Sequence, residues 1–268
     1  MLRYQDIALL DSENLPVPLV SKEQWELCKK LHRYKSVCPL GKVKDFEVNR
    51  GEINQTIYRD FISENDRLAR LLKGVEIGRF IIRNKLKQGF REWIDERKFL
   101  AAHNPKPIVN ERRIATQRIT GVDERLRIVA TIVEPKVYFA DSTNSVVVKD
   151  GALHRIEYLL GLFNSVLFQW RFKLTSTNNN VGTNELNALP FRTIDFSDKA
   201  DKARHDQMVA LVEQMLALHQ RLAAAKTPPE QTALARQITA TDQQIDRLVY
   251  DLYGLTEEEI KLVQVAAA

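Results

Sequence analysis

The chain has 268 residues, 44% of them hydrophobic and 28% charged, and a formal net charge of +5. This composition is typical of a globular protein, and no apolar run approaches the ~20 residues that cross a bilayer. The acidic N-terminal stretch lacks the small-residue cleavage site of a signal peptide, so we expect a cytoplasmic protein with no membrane contact.

Positive charge is concentrated in the middle of the chain. Between Arg67 and Lys136 there are 17 Lys and Arg against 8 Asp and Glu, whereas from Ser197 onwards there are 8 against 11. A basic segment beside an acidic tail indicates a surface for a polyanion. The two cysteines, Cys28 and Cys38, are expected to be reduced thiols, because no Cys or His cluster has zinc-binding spacing.

The predicted elements begin with an extended lead-in, because residues 1–20 hold Pro16 and Pro18 and show no periodic pattern. Ser21, with Gln24 three residues later, is typical of a capping box and predicts a helix to about Tyr34. Between residues 43 and 144 the pattern indicates short strands and turns, with one helix near residues 90–100. The clearest strands are expected over residues 126–133, 136–140 and 144–149.

The second half of the chain has the spacing of helices. Apolar residues predict a helix over residues 153–170, which is followed by a polar loop from Ser176 to Asn180. Two further apolar stripes are separated by Thr227-Pro228-Pro229-Glu230, a pattern that predicts a helix start. We therefore predict an α+β fold, in which a lead-in segment and helix (1–40) precede a mixed or antiparallel β-rich domain (41–196) and an antiparallel helical hairpin (197–268).

Several motifs follow one another in an order that resembles one family. They are Arg50-Gly51-Glu52-Ile53-Asn54, Leu72-Lys73-Gly74, Ile77-Gly78-Arg79-Phe80, Gln117-Arg118-Ile119, Phe163-Asn164-Ser165, Leu189-Pro190-Phe191 and the run from Ile245 to Leu255. Together they resemble the C-terminal specificity (target recognition) domain of TaqI-like, adenine-specific DNA methyltransferases of type II restriction-modification systems. The resemblance spans roughly residues 40–262. It implies a bacterial or archaeal module that binds double-stranded DNA through a target recognition domain at residues 41–196. Such a module reads sequence for a methyltransferase domain, with or without an endonuclease domain, in the same or a separate chain.

The catalytic half of that family is not visible in this sequence. Methyl transfer needs a glycine-rich turn for S-adenosylmethionine and an Asp/Asn-Pro-Pro-Tyr/Phe loop for the flipped adenine. The ten glycines occur singly, and the only adjacent prolines, Pro228 and Pro229, follow Thr227. We therefore expect no cofactor and no catalytic residue in this chain, and S-adenosylmethionine would belong to the parent methyltransferase domain.

Residue chemistry separates the expected base contacts from the expected backbone contacts. Arg and Lys suit guanine edges and Asn and Gln suit adenine edges, whereas phosphates are met by any cation. Forked and amide donors are densest just after residue 110, so the predicted base contacts are Arg112, Arg113, Gln117 and Arg118. The polar loop from Ser176 to Asn180, called the Asn loop below, also belongs to the resemblance. A loop that is shared while target sequences differ reads sequence poorly, so we assign it to the DNA backbone. The predicted DNA backbone contacts are Lys73, Arg79, Arg83, Lys85, Lys87, Arg171, Lys173, Asn178, Asn179 and Asn180.

Two other functions remain open from the sequence. Asp123, Glu134 and Lys136 fit the loose spacing of an Mg²⁺-dependent nuclease, in which two carboxylates hold the metal and the lysine helps to activate water. A helical protein-interaction scaffold would explain the hairpin but would leave the basic segment unused. Neither alternative accounts for the ordered motifs.

Overall fold

The computed structural model of the chain describes residues 3–11, 14–18, 20–86, 89–102, 108–120, 126–176 and 179–267. Its helices are α1 (Tyr4–Leu10), α2 (Lys22–Arg33), α3 (Glu96–Ala102), α4 (Ile156–Asn164), α5 (Val166–Lys173), α6 (Thr183–Asn187), α7 (Lys199–Ala224), α8 (Pro228–Leu252) and α9 (Glu257–Ala267). Its strands are β1 (Val37–Pro39), β2 (Phe46–Arg50), β3 (Ile62–Ser63), β4 (Ala69–Leu72), β5 (Ile77–Gly78), β6 (Ile81–Ile82), β7 (Glu92–Ile94), β8 (Arg113–Gln117), β9 (Ala130–Val133), β10 (Val137–Phe139), β11 (Thr143–Val148) and β12 (Pro190–Arg192).

One antiparallel sheet, in the order β2-β11-β8-β9, forms the centre of the fold. β11 is rich in β-branched residues, which suit a central strand. Alternate residues, among them Ile114 and Val146, are fully buried and belong to the main hydrophobic core. The same core includes most of α4, so this sheet packs one face against a helix.

A second, mixed sheet has the order β10-β4-β7-β3, in which β10 and β4 are parallel and the other pairs are antiparallel. It encloses a smaller core around Leu71, Ile94, Phe99 and Tyr138. Strands β1 and β12 form one antiparallel pair and β5 and β6 form another. The combination of these sheets with α7 and α8 confirms the predicted α+β fold.

The helix predicted over residues 153–170 is divided into α4 and α5 at Ser165. Ser165 has an extended backbone (φ −72°, ψ 152°), and its hydroxyl accepts a hydrogen bond from the Phe168 amide at the start of α5. Arg79 donates to the carbonyl of Asn164, and Asp246 accepts from the amide of Val166 at 2.8 Å. The end of one helix and the start of the next leave backbone N–H and C=O groups without helical partners. Here the side chains of Ser165, Arg79 and Asp246 bond to these groups, which allows the helix to break inside a buried apolar segment.

The C-terminal hairpin agrees with its sequence signals. α7 and α8 pack along each other, Pro228 occupies the first helical position of α8, and Gly254 follows with a left-handed φ of +59°. A non-glycine residue at that backbone angle would be strained, which explains why the helix ends there. None of the helices among the described residues is both long and apolar enough to span a membrane.

The N-terminal lead-in is more structured than its sequence indicates. The expectation of an extended segment is wrong for α1, which docks through the buried Leu10 and through Asp6, a partner of Arg33 on α2. The capping box that starts α2 at Ser21 is confirmed. The main core contains residues from all three ranges of the domain division, for example Leu31, Leu159 and Met208, so that division stays a prediction.

Candidate nucleic-acid interface

The four residues predicted to contact bases do not share one surface. They lie on or beside β8, where successive side chains point to opposite faces of the sheet. Arg113 and Gln117 therefore share one face, and Arg112 and Arg118 share the other. The structure thus divides the predicted group, and each member has a different environment.

Arg113 lies in the interior, with 1% of its surface exposed. Its two terminal nitrogens donate to the two carboxylate oxygens of Glu52, each at 3.1 Å, and one of them also donates to the carbonyl of Val137 at 2.6 Å. Its guanidinium carbon lies 3.8 Å from the ring centroid of Phe139. A base edge cannot reach a buried cation of this kind, so we correct the expected base contact of Arg113 to a role in the core.

Arg112 and Gln117 hold neighbouring parts of the chain. Arg112 forms ion pairs with Glu134, at 3.1 Å, and with the buried Glu157 at the start of α4. The side-chain amide of Gln117 donates to the carbonyl of Ile77 at 2.6 Å. Both residues are half-buried, and these bonds direct their polar groups towards the protein.

Two of the predicted backbone contacts, Lys73 and Arg79, also have partners inside the protein. Lys73 is buried and lies 3.3 Å from a carboxylate oxygen of Glu92. Arg79 forms a forked pair with Asp242 of α8 in addition to its bonds to the carbonyl of Asn164. The structure therefore does not support phosphate contacts at Lys73 or Arg79, because their donors already join elements of the fold.

Arg171 is a buried cation on α5. Its Nε lies 2.7 Å from Nε2 of His32, and its terminal nitrogens donate to the hydroxyl of Thr175 and to the carbonyl of Leu10. The predicted phosphate contact is corrected here for the same reason as at Arg113: the side chain is enclosed. Arg171 instead joins α5 to α1 and α2.

The remaining cations predicted to bind the backbone lie nearer the surface. Lys85 is exposed, whereas Arg83 and Lys173 are half-buried. Arg83 donates to the carbonyl of Val75 at 3.1 Å. Lys87 and Asn178 lie outside the described residues.

The structure brings Arg118 together with the Asn loop. The amide of Thr120 donates to the carbonyl of Asn179 at 2.9 Å, and the amide of Val181 donates to the carbonyl of Arg118 at 2.7 Å. These two bonds flank an antiparallel bridge between Ile119 and Asn180. We call residues 118–120 and 179–181 the ribbon; it continues β8 past the end of the central sheet.

Arg50 joins Arg118 at the same end of the sheet. Arg50 donates to the carbonyl oxygen of Asp141 at 3.3 Å and to its carboxylate at 3.0 Å, and Arg118 donates to the same carbonyl at 3.5 Å. Burial and the neighbouring Arg50 lower the pKa of Arg118, although the side chain stays a cation near neutrality. Sequence reasoning noted Arg50 only as the first residue of a motif and missed its position beside Arg118.

A polar cleft of about 420 Å³ lies beside this pair of arginines. Its walls carry donors and acceptors of both charges, which suits a polar, uncharged partner such as a base edge or an amide better than an isolated anion. The residues around it are Asp11, Asn14, Pro16, Arg50, Arg118, Thr175, Gly182, Thr183, Asn184, Glu185 and Ala188.

Of the three residues of the nuclease alternative, the structure describes Glu134 and Lys136. Glu134 and Lys136 lie in an exposed turn between β9 and β10, and Glu134 is paired with Arg112. Asp123 lies outside the described residues. Across the described part of the chain, no group of three or more His, Cys, Asp or Glu side chains is placed to hold a metal ion.

Comparisons with known proteins identify a shared fold. No protein-family model and no curated protein sequence matches the chain. The fold is similar to that of part of the Type IIL restriction-modification enzyme MmeI, solved in complex with DNA: the TM-score is 0.52, the sequence identity is 12%, and the match covers 84% of this chain and 35% of that chain. An HsdS subunit from Thermoanaerobacter tengcongensis matches at a TM-score of 0.40 and 11% identity, over 86% of this chain and 50% of that one.

The match to MmeI extends over most of this chain but over about a third of that enzyme. At such low identity the likeness concerns the fold alone. The class that the structure defines is therefore an α+β protein whose fold is also present in part of a restriction-modification enzyme.

Proposed function

We propose that the chain is a DNA target recognition module of a restriction-modification enzyme. The observation that carries this proposal is the fold that most of the chain shares with MmeI, a restriction-modification enzyme whose structure was determined with DNA. Since the chain spans about a third of that enzyme's length, the catalytic functions of such an enzyme would reside elsewhere, in the same or another polypeptide.

The surface at the end of the central sheet supports this function. It carries forked guanidinium donors at Arg50 and Arg118, and the neighbouring residues Asn179 and Asn180 are exposed. Such planar groups can form paired hydrogen bonds with base edges in the major groove. The exposed Lys85 supplies a cation of the kind that contacts phosphates without reading sequence.

We further propose that the parent enzyme is an adenine-specific DNA methyltransferase. The support is the ordered set of motifs, several of which occupy structural junctions: Phe163-Asn164-Ser165 forms the break between α4 and α5, and Pro190-Phe191 lies in β12. The parent would use S-adenosylmethionine. The residues of this chain do not fit that cofactor, because the ten glycines occur singly and provide no glycine-rich turn.

A selection experiment tests the recognition function. The immobilised chain is incubated with a library of duplexes that contain a randomised central region, and the bound DNA is sequenced. We expect one enriched motif and binding that weakens steeply with salt, because phosphate contacts release counterions. Heat-unfolded chain serves as the control and should enrich no motif.

The two levels fail in different ways. If the folded chain enriches no motif, the recognition function is wrong. If a motif is enriched but sequencing of the source organism's DNA finds no N6-methyladenine within it, the proposal of an adenine-specific parent methyltransferase is wrong. The proposed recognition function is then still supported.

A further inference from the structure

The ribbon has a geometry that its two sequence segments do not show. The hydrogen bonds Thr120 N–Asn179 O and Val181 N–Arg118 O flank the bridge between Ile119 and Asn180 without joining these two residues to each other. They are therefore a non-hydrogen-bonded antiparallel pair, the type whose Cα atoms approach to about 4.5 Å. The side chains of such a pair lie next to each other on one face.

That face is open to solvent. Ile119 is 60% exposed, which is unusual for a large apolar side chain beside a structured strand, and Asn180 is exposed too. The ribbon's other residues include the buried Val181 and Thr120, which root it in the protein. The side chain of Asn144 on β11 adds a further anchor, donating to the carbonyl of Val181 at 2.8 Å and to the hydroxyl of Thr116.

A two-stranded ribbon is one of the protein elements that the major groove of B-DNA admits. Within that groove, an A·T pair presents the N6 donor and N7 acceptor of adenine beside the O4 acceptor and the 5-methyl group of thymine. A side-chain amide matches the adenine edge, and an apolar side chain contacts the thymine methyl group. Asn180 and Ile119 supply this combination side by side.

We propose that the ribbon enters the major groove and that Ile119 and Asn180 together read an A·T pair, Ile119 at the thymine methyl group and Asn180 at the adenine edge. This inference rests on the proposed DNA recognition function and names the element and the base pair. It also changes the role of Asn180, which the sequence assigned to the DNA backbone.

The charges near the ribbon favour a base over a phosphate at this face. Ile119 offers no hydrogen bond, and the amide of Asn180 is uncharged, so the pair has no means of neutralising a phosphate. The nearby cation, Arg118, alternates with Ile119 along the strand and is bonded to Asp141. Thus the cations and the Ile119–Asn180 pair contact different parts of a bound duplex.

Base analogues test the proposal on the full chain. The duplex enriched from the randomised library is remade with each thymine replaced in turn by uracil, which lacks the methyl group, and each adenine by 7-deazaadenine, which lacks N7. At one A·T pair, we expect uracil to weaken binding by about fourfold, the value of one buried methyl group. We expect Ile119→Ala to abolish the uracil effect at that pair and Asn180→Ala to abolish the 7-deazaadenine effect at the same pair.

Two control variants make the same Ile→Ala and Asn→Ala changes at exposed positions outside the ribbon. Ile57 is 70% exposed in a turn before β3, and Asn110 is exposed before β8. Ile57→Ala and Asn110→Ala should keep both analogue effects. Circular dichroism of all four variants should match the unmodified chain, because each change removes an exposed side chain.

Three results would overturn the ribbon's role. The first is an enriched motif that contains no A·T pair. The second is that Ile119→Ala still shows weaker binding at every thymine replaced by uracil. The third is that Ile119→Ala and Asn180→Ala lose their analogue effects at different base pairs. In each case the unmodified chain still selects a motif, so recognition itself survives. Absence of any enriched motif would overturn recognition and the ribbon's role together.

Discussion

The Nε of Arg171 donates a hydrogen bond of 2.7 Å to Nε2 of His32, and both side chains are buried. Because Nε2 accepts, the imidazole is neutral and its proton is on Nδ1. Burial, and then the adjacent guanidinium, hold the pKa of His32 well below its usual value of 6.5. Protonation of His32 would place two cations in contact inside the core.

This contact predicts that mild acid destabilises the fold. His32 takes up its proton near pH 6.5 when the chain is unfolded and at a much lower pH when it is folded. The contribution of neutral His32 to the free energy of unfolding is therefore fully present above pH 6.5. It is lost as pH falls below that value, by up to about 1.4 kcal/mol per pH unit. Urea unfolding at pH 7.5, 6.5 and 5.5 measures the effect. His32→Gln, which keeps an acceptor without titrating, should show a smaller slope, and an unchanged slope would show that His32 is not its source.

Replacement of Arg113 is expected to affect stability. Arg113→Ala leaves Glu52 without its partner in a nearly buried pair, and breaking such a pair costs about 3–5 kcal/mol. Denaturant unfolding followed by tryptophan fluorescence measures the loss. Arg97→Ala, an exposed position on α3, should stay within about 0.5 kcal/mol of the unmodified chain. Full stability of Arg113→Ala combined with altered sequence preference would restore the base-reading interpretation.

Lys85 is expected to contact phosphate only. Lys85→Ala should weaken binding to all sequences about equally and lower the slope of log affinity against log salt by roughly one ion. Fluorescence anisotropy at several salt concentrations provides the slope. Lys22→Ala, which removes an exposed lysine from α2, should leave the slope unchanged. A change in the motif preferred by Lys85→Ala would contradict the assignment.

Gly51 is expected to tolerate no side chain. It follows Arg50 directly, and a Cβ there would overlap the carbonyl oxygen of Ala140 and lie 2.7 Å from its carbonyl carbon. Because this obstacle is backbone, Gly51→Ala should cost at least about 1–3 kcal/mol and displace Arg50 from Asp141. At Gly182 the nearest atom would be a flexible carboxylate oxygen of Glu185 at 3.3 Å. Thermal unfolding should therefore show a much smaller loss for Gly182→Ala, and equal losses would refute the steric reason.

Local sequence signals predicted the helical parts of the fold well. The capping box at Ser21 and the proline at the first position of α8 each depend on residues within one turn, which is why their helices were found. The break at Ser165 was missed because its stabilising partners, Arg79 and Asp246, are remote in sequence. Likewise α1, at seven residues, depends on docking through Leu10.

The candidate site was less predictable, because residue type does not reveal which face of an element a side chain occupies. Arg113 and Arg118 looked equivalent in sequence, but one is paired with Glu52 inside the protein and the other lies beside Asp141 at a cleft. The position of Asn180 next to Ile119 depends on pairing between two distant segments, for which no local pattern exists.

The same pairing constrains how such a protein acquires a new specificity. One half of the ribbon directly extends β8, whereas the other precedes α6, so a chimera that transplants a single continuous segment carries only half of the pair. Ile119 would then face a foreign residue in place of Asn180. A chimera that transfers the face of Ile119 and Asn180 intact therefore has to exchange both halves of the ribbon, residues 118–120 and 179–181, together with Asn144, which anchors them.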